Sequence, residues 1–109
     1  LTNTTTDIEF NNTGSGTVTL PTFTSNLRNL TFNSPLTFVL QNNVIINGSG
    51  SNSLTITQGT VDLGSFTINR SANGGTLTLG NGGALRIGGT NGFPTNYATH
   101  AIDALSTVT

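Results

Sequence analysis

The stretch from Ser53 to Arg70, SLTITQGTVDLGSFTINR, decides the fold. Leu54-Thr55-Ile56 and Val61-Asp62-Leu63 each place two apolar side chains on one face of an extended chain, with a polar one between them, as in a strand with one buried face. Gly59-Thr60 stands just before the second triplet, where a tight bend needs a residue free of a Cβ. Phe66 with Ile68 supplies a third, weaker strand signal.

The same sentence is written along the rest of the chain. Ile8-Glu9-Phe10, Leu30-Thr31-Phe32, Leu54-Thr55-Ile56 and Leu77-Thr78-Leu79 start 22, 24 and 23 residues apart. A second series runs Val18-Thr19-Leu20, Leu36-Thr37-Phe38, Val61-Asp62-Leu63 and Leu85-Arg86-Ile87, opened by Gly16-Thr17, Pro35, Gly59-Thr60 and Gly83-Ala84. The third series is Phe23, Val44 with Ile46, Phe66 with Ile68, and Phe93.

Three short strands in a repeat of about 23 residues predict an all-β, right-handed parallel β-helix of between four and five rungs. In a solenoid each strand lies on its counterpart one rung away, so like sits on like and the sequence repeats. A β-sandwich gives no reason for strand n to resemble strand n+3. Gly, Asn, Thr and Ser interrupt every window that could otherwise form a helix.

The register predicts an apolar interior containing Leu30, Phe32, Leu54, Ile56, Val61, Leu63, Leu77 and Leu79, with Thr31, Thr55 and Thr78 pointing out. Aligning GTVDL (59–63) with GALRI (83–87) also predicts a cross-rung ion pair between Asp62 and Arg86, both outward on the second wall. Residues 1–109 read as one β-helix segment, excised from a longer repetitive protein or processed. Within it GGTNGFPTNYATH (88–100) reads as a loop leaving the coil, and Ala101 to Thr109 as the start of the next rung.

Composition narrows the chemistry. Thr, Asn, Gly and Ser number 22, 15, 14 and 9, more than half of the 109 residues. Charged residues make up 6%, the formal net charge is -1, and there is no Cys, Met or Trp. So weak a field gathers neither nucleic acid nor an anionic membrane. The absence of Cys removes disulfides and thiolate metal sites, and no run approaches the roughly 18 apolar residues of a membrane helix.

With the rungs laid out, NLRNLTFNSPLTFVLQNNVIINGS (26–49), SLTITQGTVDLGSFTINR (53–70) and GGTLTLGNGGALRIGG (74–89) resemble the β-helix repeats of very large secreted bacterial surface proteins. The likeness is to the Bacteroidetes kind, gliding adhesins and type IX secretion cargo, and more distantly to filamentous haemagglutinin and autotransporter passengers. It covers about residues 5 to 90, and implies an extracellular, cell-surface location and a structural or adhesive role. Partners under that resemblance are carbohydrate or another surface, with end-to-end self-association through open rung edges.

Acid-base glycoside cleavage needs two carboxylates about 5 to 9.5 Å apart. Asp7 and Glu9 point the same way from one strand, without a basic or second-rung partner in the reading, while Asp62 belongs to another wall. His100, with Asp103 and Tyr97 three residues to either side, makes at most a weak metal site, more simply a loop histidine. The glycines of GNGG (80–83) and GGTNG (88–92) lack the Lys of a phosphate cradle and the Asp of a calcium β-roll, and read as turns. The sequons at Asn3, Asn11, Asn29, Asn47 and Asn69 are no more than so much Asn, Ser and Thr produces by chance. No catalytic, cofactor or metal residue is therefore assigned, and the chain reads as a non-enzyme.

One surface feature remains. Asn29 and Thr31, Thr55 and Thr57, and Thr76 and Thr78 predict two files of polar side chains on the first wall, a candidate surface-binding ladder. Thr is also the polar residue best suited to an outward strand position. The leading expectation is a rigid spacer or adhesive solenoid; the alternatives are a polysaccharide-cleaving β-helix and an ice-binding Thr array.

Overall fold

A computed structural model describes residues 7–23, 26–48 and 50–109. Its strands are β1 (Asp7–Phe10), β2 (Thr17–Thr19), β3 (Asn29–Val39), β4 (Val44–Ile46), β5 (Leu54–Asp62), β6 (Ile68–Arg70), β7 (Gly74–Leu79), β8 (Gly83–Arg86), β9 (Tyr97–Ile102) and β10 (Thr107–Val108). Every pairing is parallel. The chain is a parallel β-solenoid of about four turns, repeating about every 23 residues.

The first wall stacks β1, β3, β5, β7 and β9 in that order. Its inward columns are Ile8, Leu30, Leu54 and Leu77, and Phe10, Phe32, Ile56 and Leu79; at the same register positions of β9, His100 and Ile102 are exposed. The second wall stacks β2, the far half of β3, the far half of β5, β8 and β10, and the third pairs β4 with β6. All eight residues predicted for the interior have no exposed surface. Triplets 30–32 and 36–38 lie along the single bent strand β3, so the antiparallel alternative is excluded.

Register departs from the sequence reading in two places, each by two residues. On the second wall Val18 lies against Phe38, Phe38 against Val61 and Val61 against Leu85. The second-rung triplet is therefore Phe38-Val39-Leu40, not Leu36-Thr37-Phe38. Pro35 is not the equivalent of the glycine bends: buried Ser34 and Leu36 turn the corner first. β5 takes the same corner in one residue fewer, Ile56 to Thr60 against Phe32 to Thr37. Gly59 makes that possible, with φ of 82° and a Cβ position only 1.9 Å from the Ser34 carbonyl oxygen. Any side chain there would collide with backbone.

On the third wall Val44 pairs with Ile68 and Ile46 with Arg70, so the triplet is Ile68-Asn69-Arg70 and Phe66 precedes the strand. An arginine thus occupies an inward position, 1% exposed, and the interior is not purely apolar as the sequence suggested. The segment 88–100 also stays with the coil. The Thr95 carbonyl accepts from the Arg70 N–H at 3.2 Å, the Gly88 N–H donates to the Gly64 carbonyl at 3.1 Å, and Tyr97 to His100 are already in β9.

Three aromatic rings cluster where the first two walls meet. Phe10 stacks on Phe32 at 5.3 Å and 11°, and Phe38 closes the triangle at 5.1 Å from Phe32 and 5.4 Å from Phe10. Offset stacked and tilted rings at these separations add to the burial of their area.

Candidate functional site

The first wall carries the polar ladder, with a composition that the register revises. One outward file is Glu9, Thr31, Thr55, Thr78 and Ala101, in direct Cα partnership from β1 to β9. The other is Asp7, Asn29, Ser53, Thr76 and Thr99. Asp7 lies against Asn29 and Thr76 against Thr99, and side chains join the middle members. Asn29 Oδ1 accepts from the Ser53 N–H at 2.8 Å, and Ser53 Oγ accepts from the Thr76 N–H at 3.0 Å. Thr57 belongs to neither file: it sits two residues beyond Thr55 and Thr76 two before Thr78, on opposite sides of their triplets. Ser53 is the member that the sequence reading misses, although it precedes Leu54 as Asn29 precedes Leu30 and Thr76 precedes Leu77.

Files on one strand face lie two residues, about 6.7 Å, apart, and rungs repeat at about 4.8 Å. Thr31, Thr55 and Thr78 are half-buried by their neighbours, whereas Thr57 is exposed. The result is a grid of hydroxyls, methyls and amides, bounded at the β1 end by charge. Arg28 Nε and Nη2 donate to the two Asp7 carboxylate oxygens at 2.8 and 2.6 Å, and Asn29 Nδ2 adds a 3.0 Å bond. Those donors, the Arg28 hydrogen bonds first, hold the Asp7 carboxyl down at about 2. Asp7 therefore does have a basic partner from the second rung, contrary to expectation. The signal was the 21-residue spacing of Asp7 and Arg28, one short of the strand register.

The second wall carries a file that sequence reading did not assemble: Thr17, Thr37, Thr60, Ala84 and Thr107. Beside it Asp62 and Arg86 are direct cross-rung partners, with Arg86 Nη1 3.9 Å from Asp62 Oδ2. The contact is an ion pair rather than a good hydrogen bond. Asp62 Oδ1 instead accepts from the Gly64 N–H at 3.1 Å.

The third wall is polar in its wiring. Arg70 reaches the corner between the third and first walls, where Nε donates to the Ala72 carbonyl at 3.0 Å and Nη2 to the Gly48 and Gly50 carbonyls at 2.9 and 3.2 Å. Nη1 donates to the Asn52 carbonyl. Five N–H donors on a planar fork suit such a ring of acceptors. Asn43 and Asn69 accept from the backbone of the following rung, at Thr67 and Thr95.

Tyr97, His100 and Asp103 do not converge. Tyr97 is buried, its hydroxyl donating to the Ile68 carbonyl at 2.8 Å, and burial pushes the phenol up, with Arg70 opposing. His100 is exposed with its ring edge-on to Phe93 at 5.3 Å. Asp103 caps its own turn through Leu105. Among the described residues no three His, Cys, Asp or Glu side chains cluster as metal ligands. The stretches 80–83 and 88–92 are turns, closed by bonds from the Gly83 N–H to Gly80 and the Asn91 N–H to Gly88. The second of them helps to line a groove of about 490 Å³, with Gly64, Ser65 and Thr90 among its walls. The sequon at Asn3 lies outside the described residues.

Three of the exposed large apolar side chains, Ile102, Leu105 and Val108, belong to the last rung, and Ile102 and Val108 continue the columns of Leu79 and Leu85. No helix among the described residues is long and apolar enough to cross a membrane. No family model, curated protein or solved structure matches the chain.

Proposed function

We propose that this chain is a structural or adhesive module of a secreted bacterial surface protein, a stiff solenoid that presents its first wall to carbohydrate or to another surface. The observation that supports this reading is the grid of two in-register files, Asn29-Ser53-Thr76-Thr99 and Thr31-Thr55-Thr78. A regular row of small polar groups on a rigid sheet matches a partner with its own repeat, and rigidity lowers the ordering entropy of association.

Binding to a panel of insoluble and arrayed polysaccharides tests the adhesive reading. The expected result is retention on at least one polymer, lost in Thr55→Lys and kept in Thr60→Lys, whose new charge stands on the second wall. Retention unaffected by Thr55→Lys would remove the first wall from the proposal. The Thr31-Thr55-Thr78 file favours ice binding as a second reading, for which thermal hysteresis abolished by Thr55→Lys is the expected sign. Release of sugar ends from those polysaccharides would instead favour a cleaving enzyme.

A further inference from the structure

The chain contains four Asn-Gly pairs, at 47–48, 73–74, 81–82 and 91–92. Asn-Gly is chemically the weakest asparagine context, because glycine leaves the following amide nitrogen unshielded by a side chain. That nitrogen attacks the asparagine Cγ, a C–N bond forms, and the side-chain nitrogen leaves as ammonia with the displaced proton. Water then opens the cyclic imide at either carbonyl, giving aspartate or isoaspartate. The balance is one water taken up and one ammonia released, with no change of oxidation state.

The fold treats the four pairs differently. The Gly48 N–H is held by Ser71 Oγ at 2.7 Å, Asn47 is tied through its own N–H to Leu27, and a Cβ at Gly48 would meet the Ala72 nitrogen at 2.4 Å. The Gly74 N–H donates to the Asn96 carbonyl at 3.1 Å, with the Arg70 guanidinium packed against it. At 91–92 the leaving nitrogen is fixed, since Asn91 Nδ2 donates to the Gly64 and Phe66 carbonyls, and the Gly92 N–H is engaged by Asn91 Oδ1 at 2.9 Å.

At 81–82 none of these restraints is present among the described residues. Asn81 and Gly82 are exposed at the tip of the turn closed by Gly83 on Gly80 at 2.9 Å, and nothing lies within 4 Å of a Cβ position at Gly82. We infer that Asn81 is a site of spontaneous deamidation, selected by the fold from four equivalent sequences. The product places a carboxylate at the corner between the first and second walls, one rung from Asp103, in a chain whose formal net charge is only -1. Isoaspartate also adds one backbone atom to the corner that runs from Leu79 to Ala84. This inference is independent of the adhesive reading.

Incubating the 109-residue chain in mildly alkaline buffer, with peptide mapping by mass spectrometry, tests it. Asn81 is expected to convert first. The other three should be more than about tenfold slower, because their segments must open before reaction and each ~1.4 kcal/mol of opening is a factor of ten. In denaturant the four should converge to comparable rates. Ser71→Ala, which frees the Gly48 N–H, should accelerate Asn47 while leaving Asn81 unchanged. Equal rates in the folded chain, a spread that survives unfolding, or an unaltered Asn47 rate in Ser71→Ala would each overturn the proposal.

Discussion

The first and third walls solve one problem, stacking a strand on its equivalent a rung away, by opposite means. On the first wall Leu30, Leu54 and Leu77 form one dry column and Phe32, Ile56 and Leu79 another, so burial of apolar surface sets the register. A one-residue slip would turn every one of those side chains to solvent. On the third wall the equivalent column ends in Arg70, and register is held by directed hydrogen bonds from Arg70 to four carbonyls and from Asn43 and Asn69 to the next rung. Apolar columns tolerate exchange among hydrophobes of similar volume. A wired corner tolerates almost none.

Substitutions of one large residue from each wall break that comparison most directly. Phe32→Ala empties the centre of the three-ring cluster and should lower stability by about 3–5 kcal/mol in urea unfolding, since the neighbours on adjacent rungs are pinned by strand pairing and collapse little. Arg70→Leu should lose about 3 kcal/mol by the same measurement, because four part-buried carbonyls lose a charged donor together and a buried one left unsatisfied costs about 1–3 kcal/mol. Arg70→Lys separates the two mechanisms. If charge and length were what mattered it would be nearly silent, whereas a fork requirement predicts a loss close to that of Arg70→Leu, three rotatable donors being a poor match for four fixed acceptors.

The same contrast explains what the sequence disclosed. Triplets of the first wall are legible because both flanking residues of each are apolar, from Leu30-Thr31-Phe32 to Leu77-Thr78-Leu79. The second-wall triplet of rung two is hard to place because Leu36, a corner residue, imitates a strand residue beside Thr37 and Phe38. Arg70 was illegible for a plainer reason: an arginine at a triplet end reads as solvent-facing, and only the carbonyls of residues far along the chain make its burial tolerable. Of the candidate ladder, Asn29, Thr31, Thr55, Thr76 and Thr78 follow from the triplets. Ser53 follows from them equally, one residue before Leu54 as Asn29 is before Leu30, but pairing Thr55 with Thr57 puts the second file on the wrong side of that triplet.

The two outward ion pairs sharpen the comparison at a smaller scale, beginning with Asp7. Its carboxyl, held at about 2 by Arg28 and Asn29, has a folded pKa below the ordinary value of 3.8. The stabilisation is therefore complete above the unfolded value and is lost as pH falls from there through about 2. Carbon-detected NMR titration should find Asp7 still ionised at pH 3, and Arg28→Gln should return its midpoint toward the ordinary carboxylate range.

The smallest expected effect belongs to Asp62 and Arg86, whose value is in what they report. Their side chains are 31% and 58% exposed and the approach is 3.9 Å, so solvent screens most of the attraction. Asp62→Asn and Arg86→Gln should each change stability by about 0–1 kcal/mol, with a double-mutant coupling at the low end of that range. Asp62→Ala should cost more than Arg86→Ala, because Asp62 Oδ1 also accepts from the Gly64 N–H at the turn into the third wall, a bond that Asn can keep. The order Asp62→Ala above Arg86→Ala, with Asp62→Asn nearly silent, would show that the turn bond outweighs the ion pair. A strong coupling between positions 62 and 86 would show the reverse, and would mean that outward charge, not the inward columns of Val61 and Leu63, helps to fix register on the second wall.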